Sequence, residues 1–144
     1  MTKSTRFPVA VHILTFLSAK QGEFVSSDAI AKSVATNPVA VRKILGMLVK
    51  AGFVSSLAGS RGGAKLEVDP NKLSLLEIYQ AVEKKEIFQM HTPQPRCPLA
   101  KGIKADLQQV FDTAQTAMEQ ALADKTLQDV SRQAVLDFHK EVQS

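Results

Sequence analysis

The chain of 144 residues contains a single cysteine and no run of 18 or more apolar residues. One cysteine excludes a disulfide within the chain, and a sequence so poor in cysteine is typical of the cytoplasm, where we expect the protein. A transmembrane helix needs about 20 consecutive apolar residues, so we expect no membrane span. The N-terminal segment has a helical apolar pattern without the small-residue cleavage site of a signal peptide, which indicates that it belongs to the fold.

Residues arranged for catalysis are also missing. The three histidines, His12, His91 and His139, fall on different segments, and neither a Ser-His-Asp spacing nor a paired-carboxylate pattern is present. The stretch GSRGGAK has the glycines of a phosphate-binding loop but not its order of strand, lysine and helix. No Cys, Asp or Glu lies at helical spacing from His12, which favours a packed or boundary histidine over a metal ligand. The sequence therefore predicts a protein that is not an enzyme and holds no metal.

Positive charge is concentrated in the first half of the chain. Residues 1–70 contain nine Lys or Arg against four Asp or Glu, whereas residues 71–144 contain nine against ten. The composition, with 44% hydrophobic and 22% charged residues, is that of an ordinary globular protein with a real core. A basic half of this kind is the electrostatic footprint of a nucleic-acid-binding protein.

The basic half contains the pattern of a winged helix-turn-helix between Ser26 and Asp69. A short helix capped by Ser26 or Ser27 precedes a second helix, for which Asn37 is a favoured N-cap and Pro38 a favoured first residue. The second helix has one apolar stripe, formed by Val41, Ile44, Leu45 and Leu48. Its opposite face contains Val39, Lys43, Gly46 and Lys50, with Arg42 and Met47 at the margins. Such a face suits the DNA major groove, although a solvated helix face has a similar composition.

A glycine-rich hairpin, the wing, is predicted to follow this helix. Residues 53–57 and 64–68 have strand character, and the glycines between them permit a tight turn. Arg61 and Lys65 are placed where they could reach a DNA backbone beside the groove. The predicted DNA-binding residues are Asn37, Val39, Arg42, Lys43, Lys50, Arg61 and Lys65.

Three further helices are predicted around this motif. The first runs from about Pro8 to Lys20, with an apolar stripe of Phe7, Val11, Ile13, Leu14, Phe16 and Leu17. Another covers residues 73–85, begins with a Ser74–Glu77 capping box, and has an inward face of Leu75, Leu76, Tyr79 and Val82. The last covers residues 126–142 and is capped by Thr126 and Asp129. Directly after the helix over residues 73–85, residues 86–98 contain three prolines and are predicted to form a loop.

A long helix from Pro98 to about Ala123 has an apolar stripe over most of its length. About 25 residues span roughly 37 Å, which is longer than the winged-helix core. A second copy of the same helix is the simplest partner, which predicts a homodimer through residues 98–122. Packing onto the last helix alone is the alternative. The predicted fold is mainly α with a small β-wing, divided into a DNA-binding domain (1–85), a proline-rich loop (86–97) and a dimerisation helix with a C-terminal helix (98–144).

Four motifs occur in a definite order: STRFPVAVHILTFLS, NPVAVRKILGMLVKAGFV, a glycine-rich wing followed by LSLLEIYQAVE, and RCPLAKGI. Together they resemble the Rrf-two family of bacterial winged-helix transcription regulators over essentially the whole chain. The resemblance implies a homodimer crossed through the long helix, binding to a pseudo-palindromic DNA operator, and usually repression. In the wing the sequence departs from the family pattern, because Ala58 stands at the arginine position, the arginine is displaced to Arg61, and Ala64 replaces an aromatic residue.

The cysteine pattern departs further. Family members with an iron–sulfur cluster resemble one another in having three cysteines about six residues apart, whereas this chain has only Cys97, with His91 six residues before it and Ile103 six after. Such clusters are usually held by four thiolates, so we expect no cofactor. Cys97 is either a redox-active thiol, favoured by a helix start and by Arg96, or an inert packed residue. A cluster-based or thiol-based redox sensor, a regulator with a small organic effector near the loop, and a winged-helix module for protein contacts remain alternatives.

Overall fold

The computed structural model describes residues 4–84 and 86–144. In these residues six helices and one antiparallel hairpin follow each other in the order α1 (Arg6–Ala19), α2 (Ser27–Val34), α3 (Pro38–Lys50), β1 (Val54–Leu57), β2 (Gly63–Leu66), α4 (Leu75–Val82), α5 (Ala100–Ala123) and α6 (Leu127–Gln143). The predicted fold class, mainly α with a small β-wing, is confirmed. Within the described part of the chain, the helices lack the combination of length and apolar character that a membrane span requires.

Local capping explains where four of the helices begin. The Asn37 side chain accepts a hydrogen bond from the Val39 N–H at 2.8 Å, and Pro38 occupies the first helical position. Ser74 with Glu77, and Thr126 with Asp129, each form the predicted capping box. The hydrogen bond from the Thr126 N–H is the main reason that the pKa of Asp129 is lowered. Ser26, rather than Ser27, caps α2.

A hydrophobic core lies where α1, α2, α3, α4 and the hairpin meet. The largest fully buried side chains are Ile13, Leu14, Leu17, Ile30, Val41, Leu48, Ile78 and Leu127. The predicted stripe of α3 is buried as expected. Two details differ from what helical spacing predicts. In α2 the expected stripe is Ala29, Ile30 and Val34, but Ala31 rather than Ala29 is buried; in α4 Ile78 is fully buried, whereas Leu76 and Tyr79 are half-buried. Tyr79 instead makes an edge contact with Phe7, which places it at the margin of the core.

Helix α4 is shorter than the sequence predicts. The predicted end at Lys85 lies outside the described residues, but the helix already ends at Val82 because Glu83 adopts an extended backbone. The Glu83 carboxylate accepts a hydrogen bond from Ser4 and lies 3.5 Å from the Arg6 guanidinium. These contacts with the start of α1 fix the point at which the chain leaves the helix.

A backbone bridge that the sequence did not indicate attaches the wing to the core. Val25 pairs with Ala64 through two N–H···O bonds of 2.8 Å, so the residue before the N-cap of α2 extends the β1–β2 hairpin. Gly63 lies directly against this bridge with a φ of +138°. A Cβ at Gly63 would come 2.1 Å from the Val25 carbonyl oxygen, so only glycine fits.

We therefore expect Gly63→Ala to lower the free energy of unfolding by about 2–3 kcal/mol, because it combines backbone strain with a clash. The matched control is Gly59→Ala, which also has a positive φ of +103° but whose added Cβ would meet nothing within 4 Å. The two midpoints of urea unfolding measure the difference. Equal midpoints for both variants would show that the Val25 bridge does not constrain the wing.

The C-terminal helices attach to different parts of the core. Helix α6 packs on α1, where the His139 ring lies 2.8 Å from the Ala19 carbonyl oxygen, and α5 packs on α4. The turn between α5 and α6 is held by backbone bonds, from the Leu75 N–H to the Lys125 oxygen and from the Leu127 N–H to the Leu73 oxygen. The alternative in which the long helix packs only on the last helix is therefore wrong, since α6 covers α1 instead.

Candidate nucleic-acid interface

The outward face of α3 consists of the residues that do not belong to its buried apolar stripe. Val39 is 64% exposed, Arg42, Lys43, Gly46 and Lys50 are also exposed, and Met47 is half-buried. The back of the helix is fixed in the core, so these side chains project from a rigid support. Asn37 is exposed too, but its side-chain oxygen is already used as the cap of α3. The face has three cations and no acidic side chain.

A groove of about 660 Å³ separates this helix from the wing. Arg42, Gly46 and Val49 line it from α3, residues 56–60 and 62–64 line it from the wing, and Asp28 lies at its α2 edge. Lys50 lies instead in a second groove between α3 and the end of α4, together with Arg6 and Lys84. Glu83, the ion-pair partner of Arg6, lines the same groove, so among the residues that the structure describes the unpaired positive charge of this groove is that of Lys50 and Lys84.

The two wing cations have different surroundings. Arg61 is exposed at the tip and forms no ion pair with any residue that the structure describes. Lys65 is half-buried, with its Nζ 3.5 Å from Glu67 Oε1 and 5.0 Å from the centroid of the Phe24 ring. A hydrogen bond from Ser55 Oγ, at 2.6 Å, is the main cause of a lowered pKa for Glu67, so this carboxylate stays charged beside Lys65. Arg61 is therefore the better placed of the two for a DNA phosphate.

Cys97 lies in the proline-rich loop and is exposed. Its predicted place at the N-cap of α5 is wrong, because Leu99 is the N-cap and the Cys97 carbonyl accepts the Ala100 N–H in a separate turn. The loop is attached to α5 elsewhere: the rings of Phe88 and Phe111 stack with centroids 4.9 Å apart. In residues 4–84 and 86–144, no three His, Cys, Asp or Glu side chains gather as they would around a metal ion.

Comparison with known proteins decides the family. The family model described as "Rrf2: Iron-dependent Transcriptional regulator" matches residues 3–133. The chain belongs to the Rrf2 family. It is 46% identical over 129 residues to YwnA of Bacillus subtilis, named as an HTH-type transcriptional regulator, covering 88% of this chain and 95% of that protein.

Solved structures agree with this membership. The crystal structure of a protein named as DNA-binding is 44% identical, with a TM-score of 0.73 over 88% of this chain and 98% of that one. CymR, the global cysteine regulator of B. subtilis, has the same fold, with a TM-score of 0.67, 21% identity, and coverage of 92% of this chain and 97% of CymR. The Rrf2 protein described here is thus a DNA-binding transcriptional regulator and not an enzyme. The roles of its individual residues stay predictions.

Two further cations of this Rrf2 protein lie beside Lys50 without any local signal in the sequence. Arg6 and Lys84 line the same groove as Lys50, although they belong to the start of α1 and the segment after α4. Arg6 is paired with Glu83, whereas Lys84 is exposed. No local pattern could have indicated them, because only the packing of α1 and α4 on α3 brings them together.

We expect Arg61→Ala to weaken binding to all DNA sequences alike and to reduce the slope of log K against log salt concentration by about one, as loss of one phosphate contact does. Titrations of specific and random duplexes at several salt concentrations measure both effects. Lys65→Ala is the matched control and should change the slope less, because Glu67 already neutralises Lys65. A change in sequence preference caused by Arg61→Ala would contradict a phosphate contact.

Proposed function

We propose that this Rrf2 protein is a repressor that binds a pseudo-palindromic operator as a homodimer joined through α5, and that it does so without an iron–sulfur cluster. The observation that carries the proposal is the exposed apolar row of α5. No residue of this helix, which lies wholly in the described range 86–144, is buried in the single chain. Its exposed large apolar side chains are Ile103 (45%), Leu107 (37%) and Val110 (60%), and the N-cap residue Leu99 (68%) precedes them.

The row lies beside the surface that α5 already uses. Phe111, Met118 and Leu122 are half-buried, Phe111 against Phe88 of the loop, whereas Ile103, Leu107 and Val110 are exposed in the single chain. A contiguous apolar surface of this kind marks an interaction site. Most homo-oligomers are two-fold dimers, so a second α5 is the partner that we propose.

A dimer of this kind suits the DNA-binding face. Two-fold symmetry presents two copies of α3, and operators for such dimers have half-sites about 34 Å apart. The family resemblance implies repression, and a dimer of 15.7 kDa chains that occupies a promoter can repress by excluding other proteins from the DNA. The proposed partners are therefore double-stranded DNA and a second copy of the chain.

The ligand set does not fit an iron–sulfur cluster, although the family description names iron. Clusters are held chiefly by cysteine thiolates, and each chain supplies one, Cys97. His91 lies in the same loop, and Ile103 stands where a further ligand would be needed. Pooling the loops of a dimer would still provide only two thiolates and two imidazoles. We therefore propose a regulator that senses without a cluster.

The proline-rich loop is the place where we propose that a signal acts. The Phe88–Phe111 stack and a hydrogen bond from the Ile87 N–H to the Gln115 side chain, at 3.0 Å, attach the loop to α5. A change in the loop would thus reach the helix that joins the subunits and alter the spacing of the two α3 helices. Cys97, being exposed, is accessible to an oxidant or alkylating agent, and a small organic effector bound at the loop is the alternative.

We expect protein purified without oxygen to be colourless and to bind its operator fully. Visible spectroscopy and iron analysis test for a cluster, and DNA titration before and after addition of a chelator tests whether operator binding depends on iron. The Cys97→Ser variant is the control. A brown protein that loses specific binding when iron is removed would overturn the cluster-free proposal. Identical DNA binding by wild type and Cys97→Ser, before and after mild oxidant, would exclude the thiol switch and leave the organic effector.

A further inference from the structure

Gly46 has no structural reason to be a glycine. It lies in the interior of α3, where glycine weakens a helix relative to alanine, and its backbone is not in the left-handed region. A Cβ added to Gly46 would meet nothing within 4 Å. Gly62 differs, since a Cβ there would come 1.9 Å from the Leu57 carbonyl oxygen. The packing of the chain therefore requires glycine in the wing but not in the middle of α3.

The surroundings of Gly46 place it at the centre of the candidate DNA-binding face. Lys43 and Lys50 lie about one helical turn to either side, and Val39 lies two turns before it on the same face. Arg42 and Gly46 line the same groove towards the wing. The result is a small patch of bare backbone beside an exposed valine, bordered by three cations.

This shape matters because a helix fits tightly in the major groove. An α-helix with its side chains is about 10–12 Å across, and the groove is about 12 Å wide. Leaving out the side chain at the centre lets the helix axis move deeper, so the helix comes close to the base edges. The apolar surface of Val39 and Gly46 complements an apolar group on the base pairs, and the thymine methyl is the one that the major groove displays.

We infer that Gly46 is the position where DNA comes closest to α3, and that its missing side chain admits a thymine methyl group and so sets the base preference. The inference rests on the proposed function, in which α3 enters the major groove. It adds a specificity-determining residue and names the group on the DNA that this residue recognises.

The test begins with selection of a preferred duplex from a random library by the full-length wild-type protein. Affinities for this duplex and for a random duplex are then measured for wild type, Gly46→Ala and a control, Gly22→Ala, which lies between α1 and α2 and whose added Cβ also meets nothing within 4 Å. Gly46→Ala should unfold at a higher urea concentration than wild type, yet bind the selected duplex at least about tenfold more weakly. Binding to random DNA should be unchanged, and Gly22→Ala should bind the selected duplex like wild type.

The thymine methyl is tested by replacing each thymine of the half-site in turn with uracil, which lacks the methyl. At one position uracil should restore most of the affinity of Gly46→Ala while weakening wild type. The inference is overturned if Gly46→Ala binds the selected duplex like wild type, or if no uracil restores its binding. Failure of the wild-type protein to select any duplex would instead overturn the proposed function itself, so the two failures are distinguishable.

Discussion

Val110→Asp should convert the dimer into a monomer and reduce operator affinity by at least about a hundredfold, because two linked half-site contacts become one. In the single chain Val110 is 60% exposed, so an aspartate there meets water and leaves the fold intact. At the interface of two α5 helices the same carboxylate would be buried without a partner, at a cost of several kcal/mol. Light scattering at micromolar concentration and DNA titration measure the two effects.

Gln109→Asp is the matched control for Val110→Asp. It introduces the same charge at the neighbouring position, on the exposed polar side of α5, and should leave both the dimer and its DNA affinity unchanged. Phe111→Glu would be less informative, because Phe111 also stacks on Phe88 of the loop. A wild-type mass of one chain, or a Val110→Asp protein that remains dimeric, would refute the proposed interface.

Replacing Lys43 and Lys50 together with alanine should lower the affinity for the operator by at least about a hundredfold, equivalent to roughly 3 kcal/mol. Both side chains are exposed on α3 and form no ion pair with a residue that the structure describes, so the free energy of unfolding should hardly change. Binding curves at moderate salt and urea unfolding of the same variant separate loss of contact from loss of fold.

The control for the double variant removes the same net charge elsewhere. Lys72 and Lys125 are exposed, and they lie in the short segments just before α4 and α6, outside α3 and the wing. Their double alanine variant should bind the operator nearly like wild type. Equal affinity of wild type and the Lys43, Lys50 double variant would reject the proposed orientation of α3, and an equal loss in both double variants would indicate net charge rather than contact.

The sequence by itself determined those features that depend on a few neighbouring residues. Asn37 with Pro38, Ser74 with Glu77, and Thr126 with Asp129 each place a helix start, because a cap is a hydrogen bond between residues two or three apart. The buried stripe of α3 followed equally from helical spacing. The order of these local signals along the chain was enough to predict the winged-helix fold and a basic face on α3.

Only the tertiary structure decided which residues distant in the chain meet. Val25 pairs with Ala64, α6 packs on α1, and Arg6 and Lys84 join Lys50 in one groove, although no spacing in the sequence relates these residues. The same reason explains why Lys65, a wing cation by its position, lies against Phe24 and Glu67. Such contacts arise from packing between elements, where burial and shape rather than local hydrogen bonding select the partner.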